Sequence, residues 1–118
     1  KVDGYIHDIS AAIEEYIKTY KFGIVRSLVG HGVGHKVHED PHVPNFVSKD
    51  FPEARIVDRM CLAIEPMVTL GGDYHVETAE DGWTIRTVDR SWAAHFELTI
   101  AVTEAGVEIL TLAPNVGF

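Results

Sequence analysis

Between Gly30 and Pro41 the chain reads Gly30-His31-Gly32-Val33-Gly34-His35-Lys36-Val37-His38-Glu39-Asp40-Pro41, and no other stretch restricts the fold so tightly. Three closely spaced glycines let the backbone pass near a ligand, while histidines project from a constrained turn. The residues before it, Ile24 to Val29, are partly β-branched and end at Gly30, which reads as a strand entering a glycine-rich turn. A histidine cluster by itself has two readings. His31 suits a metal ligand or an incidental ring, and His35 and His42 suit solvated side chains.

The rest of the chain organises around that turn. Ile9, Ala12, Ile13, Tyr16, Ile17 and Tyr20 recur at three- and four-residue steps, so they share one face of an amphipathic helix, with Asp8 as its expected N-cap. Pro41, Pro44 and Pro52 punctuate an irregular connection, and Ile56 to Leu70 resumes as β-type sequence closed by Gly71 and Gly72. His75 to Ala79 and Trp83 to Val88 flank Asp81-Gly82, a pair suited to a tight hairpin turn. Trp92 to Val102 and Val107 to Leu112 read as a further antiparallel pair. The fold class expected is α+β, a mainly antiparallel sheet with an amphipathic helix.

Length and composition narrow the function. With 118 residues and 46% apolar content the chain can bury one core, so residues 1–118 are expected to form one compact unit. A start at Lys1 is read as a piece of a longer protein. No apolar run approaches the roughly 20 residues that a spanning helix needs, so no membrane partner is expected. A net charge of -8 argues against nucleic acid and suits a cation site. Cys61 is the sole cysteine, so no internal disulfide forms, in keeping with a reducing cytoplasm.

Two glutamates tip the balance toward chemistry. Glu65 interrupts Cys61-Leu62-Ala63-Ile64-Glu65-Pro66-Met67, and an unpaired carboxylate buried there would be costly, so it calls for a cation. Glu97 repeats the pattern within His95-Phe96-Glu97-Leu98-Thr99-Ile100. Each on its own could face solvent from an alternating strand. Taken with His31, they offer an imidazole and two carboxylates, a rigid donor set suited to manganese, iron, cobalt or zinc. Carboxylates can also bridge two ions, an arrangement that serves peptide hydrolysis.

The motifs together resemble those of type I methionine aminopeptidases of the pita-bread metallopeptidase family. The resemblance is carried by the turn ending His38-Glu39-Asp40-Pro41, by Ile64-Glu65-Pro66-Met67, by Asp81-Gly82-Trp83-Thr84, and by Phe96-Glu97-Leu98-Thr99-Ile100 followed by Val102-Thr103-Glu104-Ala105-Gly106. It implies half of a pita-bread fold, namely the C-terminal half, with His31, Glu65 and Glu97 as ligands of two divalent ions and Glu97 bridging them. It further implies that His38 contacts the substrate and stabilises the scissile carbonyl oxygen, and that Glu65 doubles as general base. Trp83 and Val37 would border the methionine pocket, which Val37 widens because many relatives carry a larger aromatic residue there. The implied activity is removal of initiator methionine from nascent peptides.

Departures from the pattern carry their own expectations. The family's two aspartate ligands come from the other half of the fold, and Asp3 and Asp8 do not match them. One weakly held ion at most is therefore expected in this chain, together with dependence on the missing N-terminal half or self-association through exposed apolar surface. Asp58-Arg59 stands where relatives carry proline-glycine. A catalytically silent peptide- or ribosome-binding module is the alternative from another class, which the joint presence of His31, His38, Glu65 and Glu97 disfavours. Met67, where proline-directed relatives usually carry glycine, disfavours an Xaa-Pro aminopeptidase.

Overall fold

The structure, a computed structural model, describes residues 1–112. Among the described residues one helix, α1 (Ile6–Lys18), precedes ten short strands: β1 (Gly23–Ile24), β2 (Gly30–Gly32), β3 (Glu39–Val43), β4 (Met60–Ile64), β5 (Met67–Thr69), β6 (Val76–Thr78), β7 (Ile85–Thr87), β8 (Ala93–His95), β9 (Leu98–Thr103) and β10 (Gly106–Ile109). A five-stranded sheet in the order β10-β9-β4-β2-β3 dominates, beside a three-stranded sheet β1-β5-β8 and the β6-β7 hairpin. Every pairing is antiparallel.

Helix α1 begins earlier than Asp8, which is a correction to its expected capping role. The helix starts at Ile6 with Tyr5 at the N-cap, and the Asp8 carboxylate lies in the first turn, where it accepts the Tyr5 N–H at 2.8 Å. A carboxylate there satisfies an otherwise orphaned donor and complements the positive end of the helix dipole. Ile6 and Ile17 are buried, and the buried Ser10 hydroxyl donates to the Pro44 carbonyl at 2.6 Å, tying the helix to the chain after β3. Tyr16 and Tyr20 of the predicted apolar face remain exposed.

The core has two lobes. Ile6, Val43, Ile56, Leu62 and Val102 join α1 to the five-stranded sheet, and Ile17, Ile24 and Phe46 pack between α1 and β1. Each fully buried aliphatic side chain contributes about 1.5–3 kcal/mol.

Three strand assignments need correction. Ile24–Val29 is mostly not a strand; the glycine turn itself supplies β2, which lies between β4 and β3 in the large sheet. The Ile56–Leu70 run divides at Glu65-Pro66 into β4 and β5, which belong to different sheets, and Trp92–Val102 divides at Phe96-Glu97 into β8 and β9. Proline lacks the N–H that a continuing ladder would use at the first break. The Asp81-Gly82 hairpin forms as expected, although only Gly82 takes a positive φ (70°), while the Asp81 carboxylate instead accepts the N–H groups of Trp83 and Thr84.

Candidate metal centre

The two strand breaks lie opposite each other. On one side Ile64 pairs with Leu98, on the other Met67 pairs with His95, and this unchanged register sets Glu65 across from Glu97. Ala63 pairs with both His31 and Thr99. Glu65 follows Ala63 by two residues and Glu97 precedes Thr99 by two, so strand alternation sends His31, Glu65 and Glu97 to one face. Pro66 and Phe96, the intervening residues, turn to the other face, and the Phe96 N–H donates to the Pro66 carbonyl at 3.1 Å.

Backbone features fix the first histidine. The β2-β3 register slips between His31 and Gly32, an irregularity of the kind that re-aims a side chain. A Cβ on Gly30 would lie 2.3 Å from the Ala63 carbonyl oxygen, and one on Gly32 2.3 Å from that of Asp40, so β2 passes its neighbours at a distance only glycine permits. His31 Nδ1 lies 2.8 Å from the Gly32 carbonyl oxygen, which can only accept. Nδ1 therefore carries a proton, and in the neutral ring Nε2 presents a lone pair.

That lone pair points into a carboxylate. His31 Nε2 lies 3.2 Å from Glu65 Oε1, and His95 Nε2 lies 3.2 Å from Glu65 Oε2, with the Glu65 side chain only 13% exposed. Two acceptors held this close need either a proton on the ring or a cation between them, so the donor set fits a divalent ion. Ligating atoms of Glu65, His95 and Glu97 all lie within 4.8 Å of one another. The buried Asn45 amide steadies the strand break by donating to the Glu65 carbonyl at 3.2 Å.

The sites expected from sequence are only partly gathered. Glu65 links these residues pairwise: its Oε1 faces His31, it groups with Glu97 and His95, and the His38 ring centroid lies 4.2 Å from that of His31. His31, His38, Glu65, Met67, His95 and Ile85 help line an open cleft of about 990 Å³. Trp83 and Val37 do not line it; they are 87% and 72% exposed. His95 was not singled out as a donor, although its position two residues before Glu97 on a strand signals a shared face.

Residues 2–104 match metallopeptidase family M24. The chain belongs to this family. A member from Clostridium perfringens, called methionine aminopeptidase, is 49% identical over 111 residues, covering 94% of this chain and 44% of that protein. The methionine aminopeptidase of Borreliella burgdorferi is 52% identical over 104 residues, covering 88% of this chain and 41% of the relative. The crystal structure of methionine aminopeptidase from Thermotoga maritima superposes with a TM-score of 0.88 at 46% identity, across 96% of this chain and 45% of that one. The α+β arrangement is thus part of the pita-bread fold of the M24 metallopeptidases, and this M24 chain spans less than half the length of the relatives it matches.

Proposed function

We propose that residues 1–118 are the C-terminal half-domain of a cytoplasmic methionine aminopeptidase, which removes initiator methionine from nascent peptides once the other half of the fold completes the site. The observation that carries this reading is that Glu65 faces His31 with one oxygen and groups with Glu97, across strands far apart in sequence, in a chain about half identical to methionine aminopeptidases. His31, Glu65 and Glu97 would hold the divalent ions, of cobalt, manganese, iron or zinc type. Bound ions supply Lewis acidity for amide hydrolysis.

The protein's own groups do the positioning. His38, its ring tilted against that of His31 at the cleft wall, donates to the oxygen of the scissile carbonyl. Glu65 takes a proton from the attacking water in this reading, which its position on the cleft wall and the Asn45 hydrogen bond to its backbone support. Met67 and Ile85 give the cleft apolar surface for a methionine side chain. Trp83 and Val37, both exposed in this chain, border the pocket in this reading once the other half of the fold is in place.

A silent binding module has no use for two imidazoles against one carboxylate. The test is release of methionine from the peptide Met-Ala-Ser by the full-length protein. Glu97→Gln removes a charged donor and should lower kcat/KM by at least about a hundredfold, as loss of a principal electrostatic contact does. Unchanged turnover would remove Glu97 from the mechanism. Turnover of Xaa-Pro peptides in preference to Met-Ala-Ser would replace the proposed specificity.

A further inference from the structure

We propose that His95 is a metal ligand, and that Glu65, His95 and Glu97 form a one-ion site contained within this chain. The proposal rests on the metallopeptidase reading for the class of ion, a first-row divalent cation, and goes beyond it in the ligand and in where the site is complete.

Glu65 divides its oxygens between two imidazoles. Oε1 faces His31 and Oε2 faces His95, each at 3.2 Å. Only the His95 side gathers a third donor, because Glu97 joins Glu65 and His95 with all three ligating atoms within 4.8 Å. A cation bound by one imidazole and two carboxylates at about 2.0–2.2 Å per bond holds its donors within roughly 4.4 Å of one another. The ligating atoms here lie within 4.8 Å, so small side-chain rotations are enough to close the group on an ion. The His31 side has one carboxylate oxygen and one imidazole nitrogen, so it awaits donors from elsewhere. The two positions share Glu65.

Backbone pairing makes the His95 site rigid. Met67 pairs with His95 and Ile64 with Leu98, so the strands bearing all three donors are clamped on either side of the break. Donors carried on paired strands lose little freedom when an ion binds. The His95 side chain is 48% exposed, which leaves an entry path from solvent and open positions on the ion.

The experiment uses the 118-residue chain, stripped of metal with chelator and dialysed. Titration with Co(II), followed by calorimetry and visible absorption, should show one ion bound, and His95→Gln should weaken binding at least about tenfold and alter the absorption bands. Because any variant can perturb folding, the wild-type chain is also titrated with Zn(II) while histidine ring nitrogens are observed by NMR. The His95 ring signals should move to completion at one equivalent. Movement of His31 with His95 unmoved, equal affinity in His95→Gln, or no binding by the wild-type chain would each overturn the proposal. Failure of the full-length protein to release methionine would leave these readouts unchanged, so the two readings fail separately.

Discussion

Arg59 shows how a single residue can be at odds with its own backbone. It occupies a left-handed turn, φ 66°, ahead of β4, at the position where the family pattern places glycine. Its N–H still donates to the Val102 carbonyl at 2.8 Å, so the turn is held by the sheet and not by the arginine side chain. That side chain is 89% exposed, and its 3.4 Å contact with Asp58 is a surface ion pair that contributes little. A left-handed non-glycine residue costs about 1–2 kcal/mol, partly offset by the greater freedom glycine has in the unfolded chain. Arg59→Gly should therefore stabilise the chain by about 0.5–1 kcal/mol, read as a higher urea midpoint at unchanged slope. A lower midpoint would mean that the guanidinium has a structural role beyond its contact with Asp58.

Among the elements, the hairpin β6-β7 depends on a carboxylate for its shape. Asp81 accepts the N–H groups of Trp83 and Thr84 and the Thr84 hydroxyl, and these hydrogen bonds, led by the Thr84 hydroxyl, hold its pKa below the usual aspartate value. A lowered folded-state pKa means that the stabilisation is fully present above the unfolded value, near 3.9, and is lost as pH falls through the folded one. In a Trp92→Phe background Trp83 is the sole indole, so its emission should report loosening of the loop below about pH 4. Asp81→Ala should abolish that acid transition while leaving far-UV circular dichroism alike; identical titrations would show that the carboxylate does not hold the loop. The hairpin and the helix could be read from the sequence because turn residues and a repeat of three to four are local signals. The two strand breaks could not. Ile56–Leu70 and Trp92–Val102 look continuous because β propensity says nothing about which sheet a strand joins, and Glu65 and Glu97 meet only through pairing between distant segments. His31, Glu65 and Glu97 stood out as polar residues in apolar or glycine-rich surroundings. His95 did not, since a histidine among exposed alanines at a strand end has no such contrast.

At the scale of the molecule, strand alternation at the double break separates two surfaces. One carries the donors; the other carries Pro66 and Phe96, which with Ala12, Tyr16, Ile17, Tyr20 and Val68 border an apolar groove of about 650 Å³ alongside α1. Tyr16 is 65% exposed and Phe96 66%, a large apolar patch for a surface without a partner. Because Ala12, Tyr16 and Tyr20 follow one another at four-residue steps, the groove offers the ridge into which another helix packs. The chain spans less than half the length of its relatives, so the remainder of such a protein is the natural source of that helix. In the isolated chain a second copy presents the same α1 face, and a twofold pairing of the two helices buries both patches. Sedimentation velocity should therefore show a species heavier than 13.1 kDa that grows with concentration. Tyr16→Lys puts a charge in the middle of the helix ridge without touching the core, and it should return the chain to monomer with its circular dichroism unchanged. A folded wild-type monomer at high concentration would mean that the groove tolerates water and that the helix beside α1 is dispensable.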